Sequence, residues 1–149
     1  MQDETQDRLR LTSSLILAGR QWRRLAETAL AAHDISEARA APLVWLARLG
    51  DGVNQVTLAS HIGIEGTSLV RLLDQLGAAG LIERRDDPGD RRAKTIWLTQ
   101  AGRDAARQIE QVLTELRARI LGDIGAADIQ ATLRVLRAVQ DAAAAEGAA

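Results

Sequence analysis

Apolar residues return at intervals of three, four and seven along most of the chain, and the breaks in that rhythm fall at glycines, which predicts a series of helices. Over residues 7–32, Leu11, Leu15, Trp22, Leu25 and Ala29 form one stripe, as a long amphipathic helix requires. Ser36 is placed to cap a second helix running to about Leu49, with Leu43, Val44, Leu46 and Leu49 apolar; Gly50, Asp51 and Gly52 end it. Pro42 inside it should kink it or delay its start. Asn54 caps a short third helix, Gln55–Ile62, in which Val56, Leu58, Ala59 and Ile62 face inward before Gly63 stops it. A fourth helix, residues 67–79, sets Leu69, Leu72, Leu73 and Leu76 on one face and closes at Gly80.

The period then changes. Residues 81–85 and 94–98 alternate apolar and charged positions around Asp86-Asp87-Pro88-Gly89-Asp90, the pattern of a β-hairpin, which places Arg91 and Arg92 in the loop between the strands. Thr99 caps a long fifth helix from Gln100 to about Leu121. A sixth runs from Ala126 to about Ala145 with Ile129, Leu133, Leu136 and Val139 apolar, and the alanine-rich end, residues 142–149, is expected to fray. The expected fold is mainly α with a small β-hairpin. It is one domain over 1–149, with a lobe at about 53–99 between long helices at about 7–32 and 100–145, no linker and no repeat.

Composition narrows the function by exclusion. The 149 residues are 46% hydrophobic and 26% charged, which is globular composition. The net charge of −1 carries no global footprint of nucleic-acid binding, so any such claim must rest on local placement. There is no cysteine, which removes disulfides, thiolate metal sites, cysteine nucleophiles and thiol redox sensing. No run of about 18 apolar residues exists and the N-terminus is polar and acidic, so a cytoplasmic protein is expected. Arg outnumbers the single Lys94 eighteen to one, a skew to which no mechanism attaches.

Two short helices joined by a tight turn, the second followed at once by a hairpin, form the layout of a winged helix-turn-helix. Burying the leucines of the fourth helix leaves Thr67, Ser68, Arg71, Asp74 and Gln75 pointing outward, with Ser68, Arg71 and Gln75 on one face. Hydroxyls and helix N–H groups suit phosphate, and an arginine one turn on suits a guanine edge. Taken alone, that face is equally a solvated one. The hairpin shifts the balance: Arg84, Arg85, Arg91, Arg92 and Lys94 crowd within eleven positions, although Glu83, Asp86, Asp87 and Asp90 offset most of that charge. An arginine projecting from the loop can enter the negative minor groove, and Asp90, two residues from Arg92, can hold its guanidinium.

Residues 81–94, Leu-Ile-Glu-Arg-Arg-Asp-Asp-Pro-Gly-Asp-Arg-Arg-Ala-Lys, followed by Trp97-Leu98-Thr99-Gln100-Ala101-Gly102, resemble the wing signature of the multiple antibiotic resistance regulator (MarR) family. The similarity extends upstream through Leu58-Ala59, Gly63-Ile64, Thr67-Ser68, Arg71, Leu72-Leu73, Leu76 and Gly80-Leu81. The resemblance implies a DNA-binding transcriptional regulator, usually a repressor, acting as a triangular homodimer whose wings flank a palindromic operator. It implies DNA contacts from Thr67, Ser68 and Arg71, a minor-groove role for Arg92 oriented by Asp90, and backbone contacts from Arg91 and Lys94; the helix face adds Gln75. Gly66 and Val70 stand where many relatives carry polar contact residues, which points to thinner base readout and more dependence on DNA shape. The long outer helices agree with a dimer, because Ile109, Val112, Leu113, Leu116, Ile120, Ile129, Leu133 and Leu136 form stripes that a small lobe is not expected to cover.

Many relatives release DNA when a small aromatic acid binds between the dimerisation helices and the DNA-binding lobe. Arg20 matches a position where a basic residue meets the ligand carboxylate, and Trp22 and Trp45 are candidate aromatic walls; equally, both Trp are core and Arg20 is an intersubunit ion-pair partner. His33 and His61 lack further ligands at metal spacing, so neither a metal nor a cofactor is expected. No GxSxG, P-loop, HExxH or Rossmann glycine pattern occurs, and Ser13-Ser14 have no base nearby in sequence, so no catalytic residue is assigned. The competing class is a winged-helix dimer that serves as a protein-interaction module, whose mark would be a neutral wing.

Overall fold

The computed structural model describes residues 2–147, and the alanine run expected to fray lies partly outside them, at 148–149. Two compact units are present, one reaching to Leu116 and the other starting at Arg117. The elements in chain order are α1 (Gln2–Ala31), α2 (Glu37–Leu49), β1 (Val53–Asn54), α3 (Gln55–Ile62), α4 (Gly66–Ala78), β2 (Ile82–Asp87), β3 (Asp90–Leu98), α5 (Gln100–Leu121) and α6 (Ala126–Gly147). No helix among the described residues is long and apolar enough to cross a membrane.

The caps follow the chemistry of the sequence in two places and depart from it in a third. Asn54 accepts from the Thr57 amide at 2.8 Å and Gly63 closes α3 in the left-handed region. Thr99 opens α5 by accepting the Gly102 amide at 3.0 Å. Ser36 stands at the start of α2 but makes no side-chain cap bond, and Pro42 is buried inside a helix that runs from Glu37 through to Leu49. The expected delay at Pro42 is therefore absent: a proline removes one intrahelical bond, and here its ring packs in the interior.

The sheet is three-stranded and antiparallel in the order β1-β3-β2, one strand more than the expected hairpin. Val53 pairs with Ile96 and Ile82 with Leu98. β3 begins at Asp90, so Arg91 and Arg92 lie on the strand just past a Pro88-Gly89 turn and not in a loop. The core of this unit joins Leu30, Leu43, Leu46, Leu58, Leu69, Leu73, Leu76, Ile82, Ile96, Leu98 and Ile109. Gly52, at φ 86°, lies where a Cβ would stand 3.2 Å from the Trp97 ring, so the tight turn before β1 and the seat of that indole are one feature.

Two expected faces are placed differently. Val56 of α3 is 81% exposed. Ile109, Val112 and Leu116 of α5, expected to await a partner, are buried within the chain. They occupy the α5 face that also carries Gly102 and Ala106, and Ile109 and Val112 belong to the lobe's own core. By contrast, Leu9, Leu11, Leu15, Ile16, Leu17 and Leu25 of α1 are all exposed, and among the described side chains of that helix only Ala26 and Leu30 near its end are buried. In the second unit α6 buries no residue, and Leu133, Val135 and Val139 are exposed.

Candidate nucleic-acid interface

α4 is the most sharply two-faced of the short helices. Its leucines at 69, 73 and 76 are fully buried, while Thr67, Ser68, Arg71, Asp74 and Gln75 are exposed. Thr67, Ser68, Arg71 and Leu72 line one open depression at the start of the helix. Leu72 is half-buried and turns toward α2 and α3. Among the described residues Arg71 has no acidic partner, so its guanidinium is free to meet an external acceptor.

The wing divides its five basic residues into two groups. Lys94 faces Asp86 directly across the strands and is ion-paired with it. Arg85 pairs with Glu83 at 3.1 Å and lies over the Trp97 ring at 4.1 Å, a diagonal cross-strand contact. Arg84 turns back to α4, where it bonds Asp74 at 2.7 Å and the Val70 carbonyl at 3.3 Å. Arg91 and Arg92 are exposed and, among the described residues, have no acidic partner.

Asp90 reaches Arg92 through the main chain: its Oδ1 accepts from the Arg92 backbone N–H at 2.9 Å, and the carboxylate does not hold the guanidinium. Asp87 does the same for the Gly89 amide at 2.9 Å. The tip is thus shaped by two successive Asx turns, which set the direction in which β3 leaves the hairpin. Sequence proximity of Asp90 to Arg92 signals the contact without saying which donor is used.

A separate concavity of about 310 Å³ lies between α1, α2 and α3, with Trp22, Arg23, Glu37, Trp45 and His61 among its walls. It brings Trp22 and Trp45 to one space. The Trp45 ring is 5.1 Å from the His61 ring and has the Arg48 guanidinium 5.3 Å from its centre. Arg20 is exposed and does not line this space; Arg23, one turn further along α1, does, with its Nη2 3.4 Å from the Ile62 carbonyl. The basic residue at this wall escaped the sequence reading because Arg20, Arg23 and Arg24 all lie within five positions of one helix. His33 is exposed, and among the described residues no three His, Cys, Asp or Glu side chains gather as metal ligands.

A winged helix with these features has known counterparts. A model of the MarR family matches residues 33–93. The apo form of wild-type MarR from E. coli superposes with a TM-score of 0.71 at 23% identity, covering 87% of this chain and 95% of that one. A mutant of the same E. coli protein complexed with operator DNA gives 0.73 at 22% identity, over 89% and 95%. CouR from Rhodococcus jostii RHA1 bound to p-coumaroyl-CoA gives 0.76 at 25% identity, over 87% and 90%.

Proposed function

We propose that the chain is a transcriptional regulator of the MarR family, a cytoplasmic repressor that binds a palindromic operator as a homodimer. In this reading α4 enters the major groove. Thr67 and Ser68 take phosphate at its N-terminus, and Arg71 and Gln75 meet base edges. The wing tip follows the adjacent minor groove with Arg91 and Arg92. Lys94, committed to Asp86, contributes less than its charge implies.

The observation that carries this reading is the selective freedom of charge. Three wing cations are paired with acidic side chains of the lobe, while Arg71, Arg91 and Arg92 have no acidic partners among the described residues. A protein-interaction module has no use for such a division. The exposed leucines of α1 and the unburied apolar side of α6 support a second copy as the covering partner, because monomers rarely leave such stripes in water. The Trp22–Trp45 cavity supports a small aromatic acid as effector, with Arg23 as the cation at its wall. A ligand there is in contact with Leu72 of α4 and so bears on the reading helix directly.

The test is selection of duplexes from fragmented genomic DNA by the purified protein, followed by mobility shifts across a salt series and sedimentation of free and bound protein. Retention of one inverted-repeat sequence by two copies is the expected result. Binding without sequence preference, or a monomer in sedimentation, would sink the proposal.

A further inference from the structure

Arg84 is a basic residue on a DNA-binding wing, yet its side chain is not offered to DNA. Register explains why. Side chains two apart on a strand share a face, so Arg84 sits on the same face of β2 as Ile82, which is buried, and opposite Ile96, which is also buried. That face packs against α4. Arg84 accordingly meets α4 at two points one helical turn apart, Nη1 at 2.7 Å from Asp74 Oδ1 and Nη2 at 3.3 Å from the Val70 carbonyl. At 30% exposure its side chain is the most sheltered of the ion-paired cations in the lobe.

We infer that Arg84 and Asp74 form a positioning clamp that sets the angle between the reading helix and the wing. The leucine stripe of α4 fixes how closely the helix lies on the sheet, but apolar contact is non-directional and tolerates rotation. A planar guanidinium bonded to two acceptors along the helix does not. Asp74 and Val70 each precede a residue of the reading face, Gln75 and Arg71, and β2 is paired along its length with the strand that carries Arg91 and Arg92. The clamp therefore governs the span between the two groups that must meet one duplex together.

This inference rests on the DNA-binding reading above, and it makes a prediction whose sign is opposite to simple electrostatics. Removing a negative charge from a DNA-facing helix should strengthen binding if Asp74 is only a solvated acid. The clamp requires Asp74→Asn and Arg84→Ala each to weaken operator binding, on the order of tenfold, with the double variant no weaker than Arg84→Ala alone. In Arg84→Ala the slope of log affinity against log salt should stay at the wild-type value, since no phosphate contact is lost. Non-specific duplex should bind Asp74→Asn at least as well as wild type.

The experiment combines operator titrations over a salt series with hydrogen exchange of the free protein. Thermal midpoints of both variants serve as the folding control, and Arg84→Lys replaces Arg84→Ala if that variant is unstable. Faster exchange of β2 and β3 amides in the DNA-free variants, with α2 and α3 unchanged, is the expected signature. Tighter operator binding by Asp74→Asn, or a slope reduced by about two for the dimer in Arg84→Ala with equal loss on every sequence, would overturn the clamp. Unchanged wing exchange in both variants would overturn it as well. A wild type that prefers no sequence would overturn the operator reading instead, and the exchange arm would still decide the clamp.

Discussion

Replacing Gly102 by alanine adds one methyl group to the second residue after Gln100 in α5, where alanine is ordinarily the better helix former by at most about 1 kcal/mol. Here the added carbon would land far inside the contact distance of the Leu81 carbonyl oxygen and 3.1 Å from Leu98 Cδ2. The oxygen cannot yield freely, because it accepts the Thr99 amide at 3.1 Å while the Thr99 hydroxyl holds the Gly80 carbonyl at 2.7 Å. Overpacking of this kind costs about 1–3 kcal/mol, and loss of the Thr99–Leu81 bond adds about 1 kcal/mol. After the helix gain is subtracted, Gly102→Ala should destabilise by roughly 2 kcal/mol, or about 4–8 °C in the midpoint of a chain of this size. Gly77→Ala in α4 is the matched control, since nothing lies within 4 Å of its added carbon. It should gain about 0.5–1 kcal/mol from helix propensity alone. Thermal melts followed by circular dichroism at one fixed protein concentration compare the two. If Gly102→Ala raised the midpoint as Gly77→Ala does, the junction between β3, the α4–β2 turn and α5 would be looser than described and the reasoning would fail.

Other consequences concern the interface and the cavity. Arg71→Ala should cost about 1–3 kcal/mol on the operator and relax preference at one base pair per half-site, measured by anisotropy on a panel of substituted operators; a uniform loss on all sequences would make Arg71 a phosphate contact. Asp90→Asn, which keeps an acceptor for the Arg92 amide, should bind operator nearly as wild type, whereas Asp90→Ala should lose most of what Arg92→Ala loses; equal behaviour of the Asn and Ala variants would mean that the Asx turn is irrelevant to DNA. Arg23→Ala should weaken an aromatic carboxylate such as salicylate in calorimetry while Arg20→Ala leaves it unchanged, and the reverse order would place the effector elsewhere.

The helices of the lobe were legible because burial on one side imposes a period. Leu69, Leu73 and Leu76 announce α4, and Asn54 and Gly63 bracket α3 with chemistry that needs no tertiary information. What escaped were segments with no buried side. β3 begins at Asp90, opposite Asp87, but the register slips between there and Lys94, and Arg91 and Arg92 fall in that irregularity with both side chains exposed, so no alternation betrays the stretch. β1 is two residues long, and one of them, Asn54, already reads as a cap. The first turns of α1 are polar all round, which hid its start near Gln2. At the site, residue type indicated which cations gather but not how each is spent. The pairing of Arg84 with Asp74 depends on strand register against a helix, which no local pattern encodes.

That division of cations has a measurable consequence for salt dependence. Five basic residues lie on the wing and one on the reading face of α4, and if all six met phosphate in each of two copies, twelve charges would be neutralised. The expected slope of log affinity against log salt would then be about −11 on B-form DNA. Ion-paired side chains release few counterions on binding, because an internal carboxylate already neutralises them. Arg84, Arg85 and Lys94 are in that state, which leaves Arg71, Arg91 and Arg92 per copy. Six free cations in two copies correspond to a slope of about −5. Since Asp86 and Glu83 are exposed, removing their charge should convert paired cations into free ones: Asp86→Asn should steepen the slope by about two for a dimer as Lys94 is released. Isothermal operator titrations at five or more salt concentrations give these slopes directly. A wild-type slope near −11, or no steepening in Asp86→Asn, would show that the wing pairs open on DNA and that the internal partition of charge does not survive binding.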